Sequence, residues 1–162
     1  MSEKYIYRPC VAIIIVNKAG QVLWCRRKNQ NGWQFPQGGI DGNESPLEAV
    51  MRETYEEVGL GKEDIKIIKE TGEWYKYDVP KDTRKYFRKQ TYKGQKQKWF
   101  LAKLISSEKR INLSANRPIE FDKWTWVNYW YPLKACISFK REAYRKALNN
   151  LSGTYNNISK DT

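Results

Sequence analysis

Two rhythms of apolar residues run through this chain. Val11-Ala-Ile-Ile-Ile-Val16 is continuous and rich in β-branched side chains, so residues 8–16 read as a buried strand. Asn17-Lys-Ala-Gly20 is a turn, and Val22-Leu-Trp-Cys25 returns as the next strand. A short extended piece and a glycine pair follow between Trp33 and Gly39. Ile65 to Ile68, Glu73 to Val79, Lys98 to Leu104 and Trp124 to Asn128 have the look of further strands. Helical spacing occupies Pro46 to about Val58, and again Phe139, Ala143, Tyr144, Ala147 and Leu148. From Ser152 onward the chain is polar and without periodicity, which predicts one domain over 1–150 and a flexible tail over 151–162. Strands in mixed order with two separated helices predict an α/β sandwich around a mixed sheet.

The helix at 46–58 carries its own start and stop signals. Ser45 is a candidate N-cap, Pro46 suits the first helical position and Glu48 completes a capping box. Gly59 stands where a left-handed end is needed, with Leu60 after it. At about 100° per residue, Leu47, Val50, Met51, Thr54 and Val58 form one stripe, predicted to face the core. Glu53, Glu56 and Glu57 gather on another face, with Ala49 among them leaving room for something to approach. Adjacent carboxylates repel by a few tenths of a kcal/mol per pair when exposed, and by more when desolvated. A divalent cation reverses the sign, and carboxylate oxygens are the ligands that Mg²⁺ and Mn²⁺ prefer. Residues 44–57 hold five Glu and one Arg, net −4, inside a chain of net +12. A Glu triplet is ordinarily a solvated face. The flanking glycines, the cap and the charge contrast point instead to chemistry.

Composition narrows the classes. A length of 162 residues suits one domain with an ordinary core. The run Val11–Val16 is too short to span a bilayer, and no basic-then-apolar leader opens the chain, so neither a membrane span nor export is expected. Cys10, Cys25 and Cys136 are an odd, unclustered set; two of them lie in apolar strand-like runs and read as small buried thiols, and a reducing cytoplasm fits best. The excess of 30 basic over 18 acidic side chains attracts polyanions, nucleic acid or nucleotides first. The absence of histidine excludes Ser-His, Cys-His and His-ligated metal mechanisms.

Gly38, Glu44 and Arg52-Glu53-Thr54-Tyr55-Glu56-Glu57-Val58-Gly59-Leu60 resemble the Nudix box, G-x5-E-x7-R-E-U-x-E-E-x-G-U with U aliphatic. Thr54 alone departs from it, within the core stripe, so the departure is expected to affect packing and not chemistry. The resemblance implies the Nudix α/β/α sandwich and hydrolysis of a phosphate anhydride with a divalent metal, Mg²⁺ or Mn²⁺. It implies that Glu53, Glu56 and Glu57 are metal ligands and that Arg52 holds the helix acids in place. The backbone near Gln37-Gly38 becomes a candidate carbonyl ligand, a close approach that only glycine allows. Glu120, in an otherwise apolar and aromatic setting, matches the family's additional metal-binding acid; without the resemblance it reads as structural.

Further segments resemble one subgroup, the bacterial RNA pyrophosphohydrolases and related dinucleoside-polyphosphate hydrolases. They are Tyr7-Arg8-Pro9, Trp33 to Gly39, Gly94 to Leu101, Glu120 to Trp126, Tyr129 to Leu133 and Ser138 to Arg141, so the likeness spans about residues 5–148. It implies substrate contacts from Gln37, Gln95 and Lys98, and makes Arg8 and Arg27 candidate clamps on terminal phosphates. Residues 81–98 hold eight Lys/Arg against one Asp, interleaved with Tyr86, Phe87 and Tyr92. Cations with rings suit a single-stranded RNA groove, although a solvated basic loop reads the same way. Lys140 is expected to open the last helix, where an N-terminus favours anions. Phe139 beside it either stacks on a base or is the first core residue.

These residues imply attack of water on phosphorus, with Glu53 or Glu57 taking the proton. On 5′-triphosphate or 5′-diphosphate RNA the product is 5′-monophosphate RNA, a form primed for decay. Hydrolysis of diadenosine tetra- or pentaphosphate is the alternative, since the same helix serves both. The basic aromatic stretch and the segment Trp126 to Lys140 favour RNA. A non-catalytic RNA-binding module would lack metal acids that are all present here, and a small-nucleotide hydrolase would not need the basic stretch. DNA is not an expected partner. Oligomeric state, base preference and regulatory partners are not written in these patterns.

Overall fold

The first apolar run becomes the spine of a mixed sheet. In the computed structural model, which describes residues 6–84 and 92–160, strand β1 (Tyr7–Val16) lies parallel to β7 (Gly94–Leu104). Their register runs from Tyr7 opposite Gly94 to Val16 opposite Lys103. Between them the chain forms β2 (Val22–Arg27), β3 (Trp33–Gln34), β4 (Gln37–Gly39), α1 (Pro46–Val58), β5 (Ile65–Glu70), β6 (Tyr75–Asp78) and the single turn α2 (Lys81–Arg84). After β7 come β8 (Phe121–Val127), α3 (Tyr131–Ala135) and α4 (Arg141–Lys160), with 3₁₀ turns at Glu108–Arg110 and Ser138–Lys140. The sheet order is β3-β2-β1-β7-β5, with β4 on β1, β6 on β7 and β8 on β2. Every pairing other than β1 with β7 is antiparallel.

Successive side chains of a strand point to opposite faces, so a strand covered on both faces must be apolar throughout. Val11, Ile13 and Ile15 join Val50 and Val58 of α1 with Phe100 and Phe121 in one layer. Ala12, Ile14 and Val16 join Trp24, Phe35 and Trp99 with Tyr144, Ala147 and Leu148 of α4 in the other. This accounts for the unbroken run, and the expected α/β sandwich is what forms. Cys10 and Cys25 are buried free thiols, as expected, and so is Cys136. Among the described residues no helix is long and apolar enough to cross a membrane.

Helix α1 is capped as its residues predict. The Ser45 side chain accepts from the Glu48 N–H at 3.1 Å, and Glu48 Oε1 accepts from the Ser45 N–H at 2.9 Å. Gly59 closes the helix at φ 76°, its N–H donating to the Tyr55 carbonyl. The predicted stripe needs correction: Leu47 is 47 % exposed, whereas Ala49 is fully buried. The face that meets the sheet carries Ala49, Val50, Thr54, Glu57 and Val58. Small Ala49 therefore lets the helix approach the sheet; it does not open a path to solvent. Thr54 Oγ1 is buried with no hydrogen-bond partner among the described residues, a cost that an aliphatic side chain avoids.

The C-terminal expectation also needs correction. Helix α4 begins at Arg141 and continues to Lys160 instead of giving way to a flexible tail. Leu151 is fully buried, Tyr155 stacks on Tyr129 with centroids 4.1 Å apart, and the Tyr155 hydroxyl donates to the Gly20 carbonyl. Asparagines and serines mask an amphipathic helix here, because only a few apolar residues on one face are needed once a core is present to receive them.

Candidate active site

Arg52 is the hub of the acidic helix. Its Nε and Nη2 grip Glu44 in a fork, at 2.6 Å to Oε2 and 2.9 Å to Oε1. Nη1 donates to Glu53 Oε1 at 2.9 Å and to Glu56 Oε2 at 3.2 Å, and Nη2 also reaches the Gly39 carbonyl at 2.9 Å. Asp41 adds an ion pair at 3.4 Å. One guanidinium thus ties the loop before the helix, the helix itself and strand β4 into one unit. Such a planar, five-donor group does this where a lysine could not. The fork holds the Glu44 carboxyl below its usual range, and its acidic partners push Arg52 up.

Strand β4 lies against β1, with Gly38 opposite Val11 and Gln37 opposite Ala12. A Cβ on Gly38 would fall 2.1 Å from the Glu53 carboxyl carbon and 2.2 Å from its Oε2, so the carboxylate rests on bare backbone. One residue earlier, the Gln37 N–H donates to Glu57 Oε1 at 3.0 Å. Burial raises the Glu57 carboxyl well above its ordinary value, with Glu53 and Glu120 adding repulsion. Burial also raises Glu53, though Arg52 opposes it. The side chains are 17 % exposed at Glu53 and 47 % at Glu56, while Glu57 as a residue is 5 % exposed. The triplet therefore has two inward acids and one at the rim.

The other expected residues are spread around this centre. Glu120 is exposed but within electrostatic reach of Glu57 and of half-buried Arg27. The Arg8 guanidinium passes over Gly39, where a Cβ would fall 2.2 Å from its Nη2. Lys98 pairs with Glu70 at 3.7 Å and lies over the Trp74 ring at 5.3 Å. Lys140 does not open the helix at the surface, as its position suggested. It sits buried in the 3₁₀ turn before α4, its Nζ donating to Gln34 Oε1 at 3.1 Å. Burial, aided by Arg27, lowers it to about 7. Phe139 is partly buried, its ring 5.8 Å from Tyr77. Of the basic stretch 81–98, residues 85–91, including Tyr86 and Phe87, lie outside the described residues.

Three participants escape a sequence reading. Asp41 joins the Arg52 hub through a turn that no periodicity marks. Fully buried Gln97 donates from Nε2 to Gln37 Oε1 at 2.7 Å, and the Tyr77 hydroxyl donates to Gln95 Oε1. One signal could have found Gln97: it stands on the same face of β7 as Trp99 and Leu101, so it is a polar residue at a core position. Gln95, expected to meet substrate, is 9 % exposed and committed to Tyr77.

Hard oxygen donors, buried like charges and a glycine cradle are what a divalent cation requires. Among the described residues the acids do not yet form a ready coordination sphere, because Arg52 holds Glu53 and Glu56 while Glu57 faces the Gln37 backbone. The residues fit the ion chemically: a cation competing with Arg52 for these oxygens would relieve the repulsion that raises Glu57.

The family model for the NUDIX domain matches residues 6–148. A protein of Mannheimia succiniciproducens named RNA pyrophosphohydrolase is 49% identical over 146 residues, covering 90% of this chain and 74% of that one. One of the same name from Francisella tularensis subsp. mediasiatica is 51% identical over 148 residues, covering 91% and 95%. Among solved structures, a C. elegans Ap4A hydrolase binary complex superposes with a TM-score of 0.65 at 22% identity, over 90% of this chain and 98% of that chain. That last likeness is one of fold.

Proposed function

The chain belongs to the Nudix hydrolase family, and from that premise we propose that it removes the terminal phosphates from the 5′ end of RNA. As a Nudix hydrolase it cleaves phosphate anhydrides, and such enzymes generally use a divalent metal. On 5′-triphosphate RNA, water would break one anhydride to give 5′-monophosphate RNA and pyrophosphate. On 5′-diphosphate RNA the second product would be phosphate. The observation that carries this substrate is similarity over nine-tenths of the chain to proteins named RNA pyrophosphohydrolase. In a reducing cytoplasm the reaction would prime transcripts for decay.

Glu53, Glu56, Glu57 and Glu120, with the Gly38 carbonyl, would hold the ion, Mg²⁺ or Mn²⁺. When bound, such an ion neutralises phosphate charge and lowers the pKa of water. Arg52 fixes Glu53 and Glu56 relative to Glu44 and is a positioning residue. The proton released by the attacking water goes to a carboxylate oxygen of Glu53 or Glu57, the two acids turned inward. Arg8, Arg27 and Lys98 supply positive charge to the phosphate chain, and Lys140 lies within electrostatic reach of Arg27. Gln37 orients Glu57 through its N–H, and Gln95 keeps Tyr77 in place beside Phe139, where a base can lie.

Initial rates on 5′-triphosphate RNA and on diadenosine tetraphosphate test the reading. RNA is expected to be preferred, with a steep loss of RNA affinity as salt rises. A strong preference for the dinucleotide would replace RNA as the substrate.

A further inference from the structure

Strand β7 buries a glutamine where packing calls for an apolar residue. Gln97 is fully buried, with Cys10 of β1 opposite it on one side, Tyr75 of β6 on the other, and Trp99 next along the same face. Its Nε2 donates to Gln37 Oε1 at 2.7 Å, while its Oε1 is buried with no hydrogen-bond partner among the described residues. A buried amide with an unused acceptor costs stability that an apolar side chain of the same shape does not. Packing by itself does not explain this residue.

The bond it makes reaches across a strand. On β1, Cys10 stands between Gln97 and Gly39, and Ala12 stands between Trp99 and Gln37. Gln97 and Gln37 therefore lie on the two sides of β1, two residues out of level. The β1 side chains between them on that face are Cys10 and Ala12. Both are small, which leaves room for two extended amides to meet over the strand.

What that bond holds is β4. This strand is three residues long and pairs with β1 alone among the described strands. It nevertheless makes two contacts with the acidic helix: the Gln37 N–H donates to Glu57 Oε1 at 3.0 Å, and the bare Gly38 backbone lies against the Glu53 carboxylate. A short strand paired along one edge has few bonds to fix its tilt. The Gln37 side chain gives it a second attachment, to β7 on the far side of β1. With its Oε1 turned to Gln97, the Gln37 amide leaves its NH₂ for the Tyr77 hydroxyl, which it also meets.

We propose that Gln97 is a positioning residue, which sets where β4 presents the Gln37 N–H and the Gly38 backbone to the two inward acids. Sealed from solvent, it acts only through Gln37. The proposal rests on the reading of Glu57 and Gly38 as part of the set that holds the metal.

Two variants break the bond from opposite ends. Gln97→Met removes both polar ends at nearly constant shape. Gln37→Met acts from the half-buried end and keeps the backbone N–H. Mn²⁺ binding without substrate, read by electron paramagnetic resonance, is measured beside Tm and kcat, the last on the better of 5′-triphosphate RNA and diadenosine tetraphosphate. Each variant should weaken Mn²⁺ binding and lower kcat by about tenfold, the usual effect of losing a group that orients metal ligands. The double variant should lose no more than either single one, since both remove the same interaction. The Tm of Gln97→Met should equal or exceed that of the wild type. Unchanged Mn²⁺ binding or additive losses would overturn the proposal. So would a Tm that falls in step with activity, which would mark a packing residue. Glu57→Gln separates the two readings. If it binds Mn²⁺ as the wild type does, the metal reading fails and takes the proposal with it. If it binds weakly while Gln97→Met binds normally, the metal reading stands and the positioning role fails.

Discussion

Gly38 lies so close beneath Glu53 that a methyl group on its α-carbon would fall 2.1 Å from the Glu53 carboxyl carbon. Contacts under 3.0 Å do not occur for real Cβ atoms, so any larger residue must displace the carboxylate or the strand. Gly38→Ala should therefore lower kcat by about 10²-fold, as a misplacement near 1 Å does. The melting temperature should stay near that of the wild type, because β4 keeps its pairing with β1. Unchanged kcat would mean that Glu53 need not be held where the structure holds it.

Arg52→Lys keeps the charge and removes the fork. Activity should drop by about 10- to 100-fold, the usual effect of losing a group that orients metal ligands. Glu44 gives a second readout. Its carboxyl is held below its ordinary 4.5 by Arg52, so its stabilisation is present above that value and is lost as pH falls through the lower folded value. In Arg52→Lys an NMR titration should find Glu44 closer to 4.5, and the part of the acid-linked loss of stability that this carboxyl contributes should shrink.

Chelation of divalent metal should abolish turnover, and Mg²⁺ should restore it. Added Mg²⁺ should also raise the melting temperature, since it binds the folded state where carboxylates repel. That rise should shrink in Glu57→Gln, which removes the most deeply buried of the three helix acids. Comparing Glu53→Gln with Glu57→Gln identifies the proton acceptor. Loss of the acidic limb of the pH–rate profile marks the base, whereas a simple shift in the Mg²⁺ requirement marks a ligand only.

Lys140 makes a prediction about stability. Burial lowers it from an ordinary 10.5 to about 7, so between these values the unfolded chain binds the extra proton and the folded one does not. Stability should rise with pH across that window, by about 1.4 kcal/mol for each unit of depression, and the full penalty should apply below it. Lys140→Met should flatten the rise in denaturant titrations from pH 7 to 10. An unaltered slope would mean that Lys140 is hydrated and charged in the folded protein.

Truncation after Asn150 removes buried Leu151 and the Tyr155–Tyr129 stack. The loss should be about 2–5 kcal/mol, in the range of emptying a large core position. An unchanged melting temperature would restore the expectation of a dispensable tail.

The parts of this protein that sequence determines by itself are those fixed over a few residues. The Ser45–Glu48 box, Pro46 and the Gly59 cap specify α1 because each bond spans one turn. The spacing of Glu53, Glu56 and Glu57 puts three acids on adjoining faces of any helix containing them. The run Val11–Val16 announces a strand buried on both sides. The family likeness added the expected roles, and the family was shown by the NUDIX domain match across residues 6–148.

Tertiary structure decided which way the helix is turned. Leu47 and Ala49 exchanged their expected environments because β4, arriving from a distant register on β1, sets where α1 lies. Arg52 joins Asp41, Glu44, Gly39 and two helix acids only once the loop has folded back. Burial decided Lys140, a basic residue whose surroundings come from Gln34, Tyr77 and Arg27, far away in sequence. The same holds for α4, whose polar last turns are ordered by a core built from other strands. A sequence lists which groups can interact; only the closed chain sets the distances and desolvation that determine how strongly they do.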